Sequence, residues 1–89
     1  MIKIQRNTDG TPKTNRSTHA ADLMCDVCGI TAEGVDMNAN AHYVLDTAGS
    51  NVAISITCAE LGGSCNSVTF WPLINGTADA QELALVKTA

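Results

Sequence analysis

The residues with the most chemical capacity in this chain are four cysteines in two pairs, Cys25-Asp26-Val27-Cys28 and Cys58-Ala59-Glu60-Leu61-Gly62-Gly63-Ser64-Cys65. Thiolates are soft ligands, and four of them satisfy the tetrahedral preference of zinc with no position left for water. A two-residue gap lets one tight turn aim two sulfurs at a single ion. Gly29, just past the second cysteine, can take the left-handed conformation that such a turn needs. The spacing points to a structural Zn2+ site with Cys25, Cys28, Cys58 and Cys65 as ligands. The same sulfurs could instead form two disulfides, and His19 or His42 could stand in for one of them. A redox role for the first pair would want a helix N-terminus after a strand, and Gly29 and Gly34 argue against one there.

A staple is expected on energetic grounds as well. The chain has 89 residues with one Trp, one Tyr and one Phe, and much of its 45% apolar content is alanine. A domain of this size buries only about 60% of the surface that its unfolded chain exposes, so a thin core leaves it marginal. No stretch approaches a membrane span, and the start, Met1 to Asn7, lacks the apolar run of a secretory signal. For a chain that begins there, the expectation is a reducing cytoplasm, where cysteine pairs more often hold metal than form disulfides.

Charge is unevenly placed. Residues 1–19 carry Lys3, Arg6, Lys13 and Arg16 against Asp9, whereas from Ala20 onward Lys87 alone opposes eight acidic side chains, for a net charge of −4 overall. The acidic body should repel phosphate backbones, and only the basic segment could attract them.

The elements that must position the cysteines follow from local pattern. Residues 1–19 are polar, with apolar character only at Ile2 and Ile4, and read as an extended basic arm. Residues 20–89 read as the folded domain. Leu23-Met24-Cys25 leads into the first pair and Gly29-Ile30-Thr31 leads out, as a short hairpin would. The stretch from Ala32 to Ala41, with Gly34 and two Asn, reads as loop. His42 to Asp46 is a short strand, closed by turn residues Ala48 to Asn51. Val52 to Cys58 alternates and puts Val52, Ile54, Ile56 and Cys58 on one buried face. Ser67 to Trp71 is a strand that Pro72 confines to an edge or ends, with one ring of the Phe70-Trp71 pair turned inward. After a turn at Asn75-Gly76, residues 78–87 form a short helix, with Thr77 or Asp79 as its cap. That helix docks through Leu83 and Val86, flanked by Leu85 or Ala80.

The Cys25/Cys28 turn with its following Gly29, and the strand–cysteine pair–strand order of residues 23–71, resemble the zinc-ribbon family. The second pair departs from the family's usual two-residue gap, with six residues and a Gly62-Gly63 hinge between its cysteines. The resemblance implies four cysteine ligands and a mostly non-catalytic module. The expectation is therefore a small, mostly-β fold of antiparallel hairpins stapled by metal, with an N-terminal arm and a short C-terminal helix. No nucleophile elbow, phosphate loop or carboxylate pair is present, which argues against an enzyme with a small-molecule substrate. The function expected is a structural or adaptor protein that docks on a protein partner or larger assembly through Lys3, Arg6, Lys13 and Arg16. The Ala/Thr/Asn-rich composition suits an accessory component of a viral particle. A nucleic-acid-binding or transcription-associated ribbon and a disulfide-stapled structural protein are the alternatives.

Overall fold

The computed structural model describes residues 1–73 and 78–88. Two antiparallel sheets and one C-terminal helix make up the fold. The first sheet is built on β3 (Ala20–Cys25), whose side chains alternate between buried and half-buried. β4 (Thr31–Asp36) pairs along one edge of β3. β1 (Ile2–Ile4) and β2 (Thr14–Asn15) share the other edge end to end, opposite residues 23–25 and 20–21 respectively. Between them residues 5–13 leave the sheet as a finger. Its base is tied by Gln5 N–H to Asp22 O and Asp22 N–H to Lys13 O, both 2.9 Å.

The extended arm expected over residues 1–19 begins with a strand of the first sheet. Ile2 and Ile4 are buried in the core, and the Ile2 N–H donates to the buried Thr69 hydroxyl at 2.6 Å. Two apolar residues two apart suffice once a neighbouring strand supplies their backbone partners and the second sheet covers their face. The loop expected over Ala32 to Ala41 is corrected. It is β4 followed by a one-turn helix α1 (Met37–Asn40), which Asp36 caps by accepting from the Asn38 and Ala39 amides. Val35 and Met37 are the buried anchors of that stretch.

The second sheet has the order β5 (His42–Leu45), β6 (Asn51–Thr57), β7 (Val68–Pro72). Asp46 organises the β5–β6 turn by accepting from the Ala48 and Ser50 amides, with Gly49 at φ 83°. The alternation expected for β6 holds at Ile54, Ile56 and the following Cys58, which are fully buried, whereas Val52 is only half-buried and Ala53, on the opposite parity, is buried as well. On β7, Trp71 points inward and Phe70 outward.

α2 (Ala78–Val86) lies against strands of both sheets and against α1. Ala80, Leu83 and Val86 are its buried face, at the i, i+3, i+6 spacing of one helix side, while Leu85 points to solvent. Its end is held by His19, whose Nδ1 lies 3.0 Å from Val86 O, and by the Tyr43 hydroxyl donating to Lys87 O at 3.0 Å. The turn expected at Asn75-Gly76 and a cap at Thr77 lie outside the described residues. Among those residues, no helix is long and apolar enough to cross a membrane.

Because Ile2 is fully buried between β3 and β7, Ile2→Ala should cost about 2–5 kcal/mol of unfolding free energy, as for other large-to-small core changes. Met1→Ala, at an exposed side chain, should cost little. Denaturant unfolding of the two variants checks this. Equal stability would mean that the first strand is not part of the core.

Candidate metal centre

The four cysteines come from two chain reversals that meet where the sheets adjoin. Cys25 closes β3, and its N–H donates to Ile30 O at 2.9 Å while the Gly29 N–H donates to Cys25 O at 3.0 Å. These bonds fold residues 25–30 into a tight turn, with Gly29 at φ 80° in the left-handed region. Cys28 sits exposed on that turn and Cys25 is buried beneath it.

The second reversal begins directly after β6 as a 3-10 turn, Cys58–Leu61. Thr57 and Glu60 form a reciprocal capping box: the Thr57 hydroxyl accepts from the Glu60 amide, and the Glu60 carboxylate accepts from the Thr57 amide at 3.0 Å. Gly62 ends the turn at φ 88°. Gly63 then passes so close to Cys58 that a Cβ there would overlap the sulfur, so only glycine fits beside the site. Cys58 N–H donates to Ser67 O at 2.9 Å, which returns the chain to β7 and holds Cys65 over the centre.

All four sulfurs lie within 4.8 Å of one another. Between the two turns, Cys28–Cys58 lies at 3.4 Å and Cys25–Cys65 at 3.6 Å. A tetrahedral thiolate site with metal–sulfur bonds of about 2.3 Å has sulfur–sulfur edges of about 3.8 Å. The cluster matches that size and has room for one ion. A disulfide needs about 2.05 Å between sulfurs, and all four residues are free thiols. Four cysteines gathered in this way are a site that could hold a metal ion.

Backbone amides already favour negative sulfur here. The Cys28 N–H, with that of Val27 behind it, bonds to the Cys25 sulfur and lowers its pKa to about 6. The Ser67 N–H holds the Cys65 thiol below its ordinary value in the same way. Cys58, hydrogen-bonded to Cys65 and buried, is pushed up to about 12.

Neither histidine belongs to the cluster. His42 Nε2 lies 3.0 Å from Glu60 Oε2 at the surface, and His19 is engaged with α2. Of the basic side chains, Lys3 pairs with Asp26 of the first turn at 3.3 Å. Arg6 reaches from the finger to Glu82 of α2 at 2.9 Å and to Asp79. Lys13 and Arg16 form no ion pair among the described residues. Sequence reasoning offered no sign of the Arg6 contacts, because their partners lie more than 70 positions away.

Ligating sulfurs must lose their protons. Cys25 is ionised above about pH 6, but Cys58 keeps its proton far above neutrality, so an entering ion has to displace at least that one. Apparent metal affinity should therefore rise at least about tenfold per pH unit between pH 7 and 8, and fall on acidification. Competition titration against a chelator of known pH dependence checks this, and a flat profile would contradict it.

No protein-family model matches this chain, and comparisons with curated proteins and with solved structures likewise return no match. The candidate metal site thus rests on the geometry of its four sulfurs alone.

Proposed function

We propose that this chain is a small, non-enzymatic zinc-binding structural module of zinc-ribbon type, in which one Zn2+ held by Cys25, Cys28, Cys58 and Cys65 fastens the two sheets together. The observation that carries the proposal is the mutual approach of the four sulfurs within 4.8 Å. All four corners are sulfur, so the shell is closed, and a closed shell leaves no position for the water or substrate that catalytic zinc requires. Tetrahedral sulfur suits zinc or iron, and zinc brings no redox chemistry of its own.

The docking part of the proposal is an adaptor role on a larger protein assembly, a viral particle included. It rests on composition and on the cations of residues 1–19. Lys3 and Arg6 are already neutralised by carboxylates of their own chain, so Lys13 and Arg16 are the cations left to meet a partner. That depletion, together with the acidic body, weighs against nucleic acid as the partner.

The test is metal analysis of protein purified under reducing conditions, paired with thiol titration. The expected result is one zinc per chain, with four thiols that become reactive only after the ion is removed. Cys58→Ser, at a fully buried ligand, should abolish stoichiometric zinc. Four reactive thiols without metal, or none because of disulfides, would overturn the proposal.

A further inference from the structure

The four sulfurs differ in how easily a reagent reaches them. Cys28 is exposed and Cys65 half-buried, whereas Cys25 and Cys58 are fully buried. Cys65 also borders an open crevice of about 210 Å³, whose other walls are Thr57, Ala59, Asn66, Ser67 and Val68. None of those side chains is charged.

Both close contacts between the turns join a reachable sulfur to a buried one. Cys28 meets Cys58 at 3.4 Å, and Cys65 meets Cys25 at 3.6 Å. Clean oxidation of a thiol centre needs that combination, an accessible sulfur that meets the oxidant and a resolving sulfur beside it. The oxidant that suits this surface is small and uncharged. The chain carries a net charge of −4, and four thiolates around a divalent ion add about two negative charges. An anionic oxidant is repelled there and a neutral peroxide is not.

We propose that a peroxide converts the centre into two disulfides, Cys28–Cys58 and Cys25–Cys65, which fasten the sheets in place of the ion. Release of an ion rests on the zinc reading given above; the pairing of the sulfurs does not. In the first step the Cys28 thiolate attacks one peroxide oxygen, the O–O bond breaks, and hydroxide leaves a sulfenic acid behind. The Cys58 sulfur then attacks the Cys28 sulfur, the S–O bond breaks, and a second hydroxide departs. A proton still on Cys58 leaves with that hydroxide as water. Two electrons thus pass from two sulfurs to one peroxide, and Cys65 with Cys25 consumes a second peroxide in the same way. Each pair has to close by about 1.5 Å to reach bonding distance.

This pairing has a mechanical consequence. Its partners lie 30 and 40 positions apart, so the bonds tie the end of β3 to the end of β6. Bonds within the turns, Cys25 to Cys28 and Cys58 to Cys65, would close only short local loops and leave the sheets unfastened.

The test adds hydrogen peroxide in steps to the reduced, zinc-loaded chain, reading released zinc with a colorimetric chelator and counting the remaining thiols. The oxidised chain is then unfolded and cleaved after acidic residues, and its linked fragments are identified by mass spectrometry. Asp26 separates Cys25 from Cys28, and Glu60 separates Cys58 from Cys65, so every pairing gives a distinct product. The proposal expects about two peroxides per chain to remove all four thiols and release the ion, with Cys28 linked to Cys58 and Cys25 to Cys65. The oxidised chain should also keep a cooperative thermal transition in chelator, which the reduced chain loses. Any other pairing would overturn the proposal, as would disulfides between copies, thiols oxidised without disulfides, or an ion retained through excess peroxide. So would an oxidised chain that melts no higher than the reduced, chelated one. A reduced chain that holds no zinc before peroxide is added contradicts the zinc reading instead, and the fragment pairing then decides this proposal on the metal-free thiols.

Discussion

Two small sheets have to be held together by a chain with few large side chains, and the four sulfurs join the end of β3 in one sheet to the end of β6 in the other. The interior is filled partly by Ala21, Ala41, Ala53 and Ala80, which bury little area, and by a handful of Ile, Leu and Val residues. Few apolar contacts are therefore available to resist separation of the sheets. The cysteine contacts bridge positions 30 and 40 apart in sequence, so closing them removes a large share of the freedom of the unfolded chain. At the other side of the molecule α2 does the corresponding work with packing and ion pairs. Its buried face covers both sheets, and Arg6 ties it to the finger.

The surroundings of the sulfurs are arranged for negative charge in an acidic protein. Four thiolates around a divalent cation leave about two negative charges. The amides of Val27, Cys28 and Ser67 point at the sulfurs and spread that charge into the backbone. Lys3 compensates Asp26 beside the first turn. On the second turn the Thr57–Glu60 capping box and the Gly62-Gly63 hinge solve a geometric problem: six intervening residues must fold back so that Cys65 returns to Cys58. The longer gap is thus accommodated by a 3-10 turn, and the short knuckle of the first pair is not repeated.

The parts legible in the sequence are those with a local signature. The cysteine spacing, the alternation through Ile54, Ile56 and Cys58, and the Leu83/Val86 face of the helix each carry their pattern in adjacent residues. Other parts depend on partners far along the chain. β1 has only Ile2 and Ile4 to announce it, and its burial comes from β3 and from Thr69. β4 lacks alternation because Ala32, Glu33 and Gly34 break it, and pairing with β3 imposes the strand. Asp36 followed by Met37-Asn38-Ala39-Asn40 was a readable cap, but one turn of helix gives no period to recognise. Likewise Arg6 looked like a free cation of an arm, because nothing near it in sequence reveals the carboxylates it meets.

The central claim is that the fold depends on an ion clamped between the two turns, and thermal unfolding with and without a strong chelator, thiols kept reduced, tests it most directly. The account predicts a large drop in melting temperature, or loss of the cooperative transition, when the ion is withdrawn, and recovery when zinc is restored. An unchanged transition in the chelated, reduced protein would contradict it.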